Sequence, residues 1–290
     1  MKSKTALFAA SLCLAALLAL GPTARADGEA LKARHASLTE QLARNQFQRP
    51  LVLDSTQTSG DLTGEIHALM EHPFATLDGA LKRADNWCDV LILHLNVKQC
   101  RASGNTLAVI LGKKYDQPIE DAYKVDFSYR VTAQSPDFLQ VQLNAENGPL
   151  GTHNYRIVFE AVPLDARRSF IHMSYSYGYG LAARVAMQGY LATIGRDKVG
   201  FSVVERTADG KPVYVDNVRG VIERNTMRYY LAIDAYLDSL AAAPADRLEK
   251  RLRQWYGTTE RYPRQLHEME REDYLAMKRK EVQRQQGPAG

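Results

Sequence analysis

Cysteine, tryptophan and long apolar runs are all scarce in this chain, and each shortage excludes something. Of 290 residues three are cysteine and two are tryptophan. Cys13 lies within an apolar run near the start and follows Leu12, not a small residue, so it lacks the setting of a lipidated cysteine. Cys88 and Cys100 are too far apart for a Cys-x-x-Cys redox pair, and no histidine sits at a metal-ligand spacing beside them. After the first run, no stretch approaches the roughly 20 apolar residues that a membrane helix requires. Enzyme signatures are missing too: there is no Gly-x-Ser-x-Gly, no His-Glu-x-x-His and no phosphate-binding glycine loop. Gly178-Tyr179-Gly180 lacks the third glycine of a dinucleotide loop. The sequence therefore calls for no metal and no cofactor. Charge of one sign is also in short supply: the formal +4 falls to about +1 without Lys2, Lys4 and Arg25, which excludes a general field for nucleic acid.

The first residues form a three-part pattern. Lys2 and Lys4 precede an apolar run from Ala6 to Leu20, and Gly21-Pro22 leads into the small-residue site Ala24-Arg25-Ala26. This is the pattern of a secretory signal, with cleavage expected after Ala26 and a periplasmic, water-soluble product with no integral membrane segment. Two cysteines then remain in an oxidising compartment, so a Cys88–Cys100 disulfide is expected, worth roughly 3 kcal/mol in the chain-entropy model.

Along the mature chain, Leu31, Leu38 and Leu42 predict an amphipathic helix between Asp27 and Gln46, ended by Arg49-Pro50. Leu51–Leu53 begins an extended segment and Asp61–Met70 a strand. Phe74 to about Val90 is expected as one helix, and Leu91–Cys100 as a strand with Leu93, Leu95 and Val97 on one face and His94, Asn96 and Lys98 on the other. Strands follow over Thr106–Lys113, Ala122–Ala133, Phe138–Asn144, Tyr155–Val162 and Ser169–Tyr179. In the second of these Val125, Phe127, Tyr129 and Val131 alternate with Asp126, Ser128 and Arg130, the pattern of an antiparallel sheet with one buried face. Leu181 to about Ile194 is expected as a helix that closes the sheet. Asp209-Gly210 predicts a hairpin turn, and the stripe from Val218 to Leu240 a helix with a buried face. The charged stretch from Arg264 to Gln286 is expected as a solvated helix fading into disorder.

This order of elements resembles the helix-grip fold of START-like lipid-transfer proteins and polyketide cyclases. The resemblance rests on His72-Pro73-Phe74, on the helix ending in Asn86-Trp87-Cys88, on Leu93–Cys100, and on the tyrosine-rich strand running into the Leu181 helix. It implies an α+β fold: a curved antiparallel sheet wrapped on a long C-terminal helix, with a cavity between them that holds a hydrophobic small molecule or lipid. The expected organisation is a signal at 1–26, an N-terminal helix at 27–50, the helix-grip domain at 51–204, a hairpin and helical extension at 205–258, and a charged helix with a disordered tail at 259–290.

Two groups of residues are candidates for the cavity wall. If the polar face of the Leu91–Cys100 strand looks inward, His94, Asn96 and Lys98 are its anchors, and a buried base there has a depressed pKa. If it looks outward, the row is a solvent face. The second group is Met173, Tyr175, Tyr177 and Tyr179 on one face of the last strand, joined by Phe127, Tyr129 and Tyr155, where phenols suit a ring-bearing ligand with one polar group. Asp126, Arg130, Arg156 and Glu160 are expected as cross-strand ion pairs on a wet face. The functional expectation is a periplasmic binder or carrier of a hydrophobic small molecule. The alternatives are a cyclase, hydratase or dehydratase using His94 or His172 with a tyrosine, and an envelope protein that docks a partner through its C-terminal helix.

Overall fold

The computed structural model describes residues 21–193 and 195–287. The expected signal therefore lies mostly outside the described residues, as does Ile194. The first helix, α1 (Gly21–Ala43), runs across the expected cleavage point.

The chain continues with β1 (Leu51–Gln57) and β2 (Asp61–Met70), helices α2 (Phe74–Leu81) and α3 (Ala84–Leu91), and strands β3 (Val97–Ser103), β4 (Thr106–Leu111), β5 (Tyr123–Ser135), β6 (Phe138–Asn147), β7 (Thr152–Pro163) and β8 (Ser169–Tyr179). Then come α4 (Leu181–Ala192), the hairpin β9 (Val203–Arg206) and β10 (Pro212–Tyr214), α5 (Asn217–Ser239), α6 (Arg247–Thr259), α7 (Pro263–Leu266) and α8 (Arg271–Gln286). Strands β1 to β8 form one antiparallel sheet in the order β1-β2-β8-β7-β6-β5-β4-β3. The fold is α+β, a curved sheet gripping one long helix.

Alternation gives this sheet two distinct faces. Ile171, Met173, Tyr175, Tyr177 and Tyr179 of β8 join Leu62, Ile66 and Ala68 of β2 and Val125, Phe127 and Tyr129 of β5 in the core beneath α5. The opposite face carries Val52, Phe138, Val162 and Phe170, which bury Leu31, Leu38 and Leu42 of α1. The expected inward alternation of β5 stops at Val131, which is 37% exposed, because the β5–β6 register shifts between Val131 and Ala133. The expected cross-strand ion pairs do not form as a set. Asp126 pairs with Lys124 on its own strand, and Glu160 pairs with His172.

The gripped helix is α5, not the Leu181 helix expected to close the sheet. Leu181 and Val185 of α4 are 77% and 59% exposed. Length separates the two: at about 1.5 Å per residue the 23 residues of α5 span about 35 Å, against about 18 Å for the 12 of α4. α5 approaches β2 so closely that a Cβ on Gly64 would overlap Thr226 Oγ1.

Three further expectations are corrected. The helix expected from Phe74 to Val90 is two helices, since Arg83 is extended and the end of α2 is capped by side chains: Asn86 Nδ2 donates to Ala80 O at 2.7 Å, Trp87 Nε1 to Leu81 O at 2.8 Å and Tyr129 Oη to Leu81 O at 3.0 Å. The strand expected from Leu91 begins only at Val97. Leu93 N, His94 N and Val97 N instead donate to Val90 O, Leu91 O and His94 O in successive turns. The C-terminal helix is not solvated: Tyr274, Leu275, Met277, Lys278, Glu281 and Val282 are all buried. The Cys88–Cys100 disulfide is present and ties α3 to β3. No helix among the described residues is long and apolar enough to cross a membrane.

Candidate functional site

Because the segment between α3 and β3 is no strand, its carbonyls need other donors, and α8 supplies those for Leu93 and His94. Tyr274 Oη donates to Leu93 O at 3.0 Å, and Lys278 Nζ donates to His94 O at 2.7 Å and Val97 O at 2.9 Å. Lys98 Nζ donates to Leu95 O at 3.0 Å. Both lysines are held by Glu281, Lys98 at 3.0 Å and Lys278 at 2.7 Å, and all three side chains are at most 1% exposed. Burial pushes the Lys278 ammonium down to about 8, with Glu281 offsetting part of the effect.

On its other side the segment faces a cavity of about 530 Å³ lined by residues of β3, β4, β5, β7, β8 and α5. Its apolar wall includes Val97, Val109, Leu111, Phe127 and Ile157, and its polar groups include His94, Asn96, Tyr155, Tyr175, Asn225 and Tyr229. A volume of this order falls within the usual range for small-molecule sites, about 300–1,000 Å³.

His94 is the best-placed polar group. Its ring stacks on Tyr229 with centroids 4.8 Å apart, and its Nδ1 accepts from Asn96 N at 3.2 Å. An accepting Nδ1 assigns the proton to Nε2. That N–H is buried and has no hydrogen-bond partner, although the Asn225 side chain lies near enough to favour the charged ring. Burial first, then the charges of Arg228, Lys278 and Lys114, hold the imidazole neutral, well below its ordinary range. Tyr175 and Tyr229 meet edge to face at 5.1 Å, and Tyr155 stacks on Tyr177 at 5.2 Å. Burial raises the phenols of Tyr175 and Tyr229 well above the usual value, so both remain neutral donors. Tyr155 gives its proton to Thr152 Oγ1 at 2.8 Å.

Of the residues singled out in the sequence, the cavity thus gathers His94, Asn96, Phe127, Tyr155 and Tyr175. The others lie elsewhere: Lys98 belongs to the Glu281 pair, Tyr129 caps α2, Met173 is fully buried in the core, Tyr177 backs Tyr155, and Tyr179 donates to Thr58 O at 3.3 Å. His172 is on the opposite face of the sheet. Burial would lower it, but Glu160 at 2.7 Å and Glu65 at 3.6 Å raise it to about 9. Its neighbour His67, stacked on it at 4.5 Å, is pushed down to about 4 by burial and by the His172 charge. His172 is therefore no part of the cavity chemistry. Sequence reading missed Asn225 and Tyr229, which sit on a helix whose apolar stripe drew attention away from its polar residues.

A second chamber, of about 700 Å³, opens beside the first and shares Asn96, Lys113 and Asn225 with it. It is lined by Lys113, Lys114, Arg224, Arg228 and Glu268, with Tyr115, Val221 and Met269. Glu268 receives both Lys114 and Arg228 at 2.6 Å. Burial raises that carboxylic acid, but the charges of Arg228 and Lys114 outweigh burial and leave it lowered. Burial and the Arg228 charge push Lys114 down to about 7.

Among the described residues one group has the geometry to hold a metal: His72, Asp234 and Asp238, whose ligand atoms lie within 4.8 Å of one another. Cations and donors already occupy it. Arg49 pairs with Asp234, Gln254 donates to Asp238, and the His72 imidazole contacts Asp238 at 3.2 Å and Asp234 at 3.8 Å. Burial opposes the charge on His72, but hydrogen bonds to the two carboxylates raise it to about 9. The group is an ion network tying Arg49 and the turn after β2 to α5.

No family model matches the sequence, and neither does any curated protein. Solved structures similar to this chain include norcoclaurine synthase from Thalictrum flavum, 15% identical over 48% of this chain and 93% of that one, with a TM-score of 0.33. They also include Ara h 8.0201, 13% identical over 62% and 99% with a TM-score of 0.32, and human StAR-related lipid transfer protein 5, 10% identical over 60% and 91% with a TM-score of 0.29. All three likenesses are distant, so function is read from the chain's own side chains.

Proposed function

We propose that this protein is an exported binder of a small amphipathic molecule, held between the sheet and α5. The observation that carries the reading is the tyrosine-walled, largely apolar cavity lined by His94, whose buried Nε2–H has no hydrogen-bond partner. A buried donor left without an acceptor costs about 1–3 kcal/mol, a cost that a ligand acceptor would remove. Export to the periplasm is supported by the leader pattern of the first 26 residues and by a disulfide that suits an oxidising compartment.

Binding is favoured over acid–base catalysis by the protonation pattern. His94 Nδ1 already accepts from the backbone and Nε2 holds the proton, so the ring offers a ligand a donor and no free lone pair. Tyr175 and Tyr229 are neutral donors as well. The cavity is thus rich in donors and suits a carbonyl, carboxylate or phosphate oxygen.

The test is native mass spectrometry and organic extraction of the protein gently purified from its own compartment, alongside Tyr175→Ala. A defined co-purifying small molecule, lost from a folded Tyr175→Ala variant, is the expected result. Protein that emerges empty and stays empty after exposure to a broad lipid mixture overturns the proposal.

A further inference from the structure

The second chamber bears on what the ligand must be. Four cationic side chains line it, Lys113, Lys114, Arg224 and Arg228, against the single carboxylate of Glu268. Arg228 is 1% exposed, and its Nε–H is buried without a hydrogen-bond partner. Glu268 is held by Lys114 and Arg228 together, and an anion entering the chamber would accept from the Nε–H that Arg228 leaves without a partner. The chamber adjoins the tyrosine-walled cavity, the two sharing Asn96, Lys113 and Asn225 in their linings, and two of these carry amides able to contact both a polar head and an apolar body. His94, whose Nε2–H is buried without a partner, lines the cavity and not the chamber.

Resting on the binder reading above, we infer that the ligand is an amphipathic anion: its carboxylate or phosphate head sits among Lys114, Arg224 and Arg228, and its apolar body fills the chamber walled by Tyr155, Tyr175 and Tyr229. Bidentate arginine geometry suits either head. A cationic amphiphile of the same length finds no counter-charge there beyond Glu268, which Lys114 and Arg228 already hold.

Proton linkage gives this assignment a second readout. Lys114 sits near 7 because burial and the charges of Arg228 and Arg224 disfavour its ammonium form, while Glu268 supports it. An added anion favours the ammonium form, so at pH 7.5 binding takes up a fraction of a proton per site.

The experiment is isothermal titration of the mature protein with decanoate, decyl phosphate, 1-decanol and decyltrimethylammonium, in buffers of different ionisation enthalpy. Decanoate or decyl phosphate is expected to bind at least tenfold tighter than decanol, with proton uptake, and the ammonium compound more weakly than either. Lys114→Gln is expected to remove most of the preference for the acid over the alcohol and to abolish proton uptake, and Lys114→Arg to restore the preference without the uptake. The stronger of decanoate and decyl phosphate distinguishes a carboxylate from a phosphate head. Equal affinity for acid and alcohol, or a preference for the cation, overturns the anionic head and leaves the binder reading standing. No binding of any of the four by folded protein overturns both.

Discussion

Replacing Glu281 with glutamine tests the docking of the C-terminal helix with a single oxygen-to-amide exchange. Glu281 is 1% exposed and accepts from two buried ammonium groups, Lys98 at 3.0 Å and Lys278 at 2.7 Å. Glutamine keeps the shape, removes the charge, and turns an NH2 toward one of the two ammonium groups. Breaking a buried ion pair by removing one partner costs about 3–5 kcal/mol, because the remaining charge is left uncompensated. For a chain of this size about 2–3 °C of Tm corresponds to each kcal/mol, so a fall of roughly 6–15 °C is expected in thermal unfolding followed by circular dichroism.

The pH dependence has a defined sign. In the folded protein Lys278 titrates near 8, below its ordinary 10.5, so between about 8 and 10.5 the unfolded chain binds the extra proton and native stability rises with pH. Without Glu281 the folded value drops further, and the deficit of the variant narrows as the solution becomes more alkaline. Replacing all three residues with apolar ones of similar size, Lys98→Met, Lys278→Met and Glu281→Leu together, is expected to recover only part of the loss, since no charge then remains buried but the carbonyls of His94, Leu95 and Val97 lose their lysine donors. A Glu281→Gln variant that melts within 2 °C of the parent at pH 7 refutes the reasoning and leaves α8 undocked in solution.

Two other perturbations probe the rest of the frame. Gly64→Ala places a methyl group against Thr226 Oγ1 where β2 meets α5, and a loss of roughly 1–3 kcal/mol in guanidinium unfolding is expected; adding Thr226→Ala should recover much of it, and failure to do so would move the clash elsewhere. His72 is raised to about 9 by Asp234 and Asp238, so its contribution is fully present below about 6.5 and is lost as pH rises through 9. The stability difference between the parent and His72→Gln should therefore be largest near pH 6, on the order of 2 kcal/mol, and shrink toward pH 10. His172 titrates in the same window but is common to both proteins and cancels, so a flat difference profile would count against the His72 network.

The sheet was legible from period-two alternation, because most of its strands have one face on the core: Val125, Phe127 and Tyr129 against Asp126, Ser128 and Arg130, or Tyr155, Ile157 and Phe159 against Arg156. The same rule misled at residues 91–100. Leu93, Leu95 and Val97 do alternate with His94, Asn96 and Lys98, yet Val97, Lys98 and every residue from Val90 to Leu95 are buried, since the segment is packed between α8 and the cavity. A segment enclosed on all sides need not be a strand, and alternation cannot tell the two cases apart. The C-terminal helix was misread for a related reason. Its buried positions 274, 275, 277, 278, 281 and 282 follow helical spacing, but three of them are Tyr274, Lys278 and Glu281, polar residues that an apolar stripe does not count. The spacing of Lys278 and Glu281, three residues apart and flanked by Leu275 and Val282, was the available signal.

These misreadings concern the residues that make the site, and the connection is physical. A strand over residues 91–96 would satisfy its carbonyls along a ladder and place His94 at a fixed position on a pleated face. Side-chain donors replace that ladder: the carbonyls of Leu93, His94 and Val97 are taken by Tyr274 and Lys278, so the segment can turn. The turn lays the His94 ring on Tyr229 and brings Asn96 N to its Nδ1. The disulfide fixes the segment at one remove on each side, through Cys88 in α3 and Cys100 in β3. Asn96 closes the remaining edge, its backbone and amide bridging to Gly112 N and O at 2.7 and 2.6 Å. The position of the one unpartnered imidazole N–H in the cavity thus depends on lysines and a glutamate that never touch it. A helix that the sequence presents as a charged surface appendage is, in the folded protein, the support on which this wall of the cavity is set.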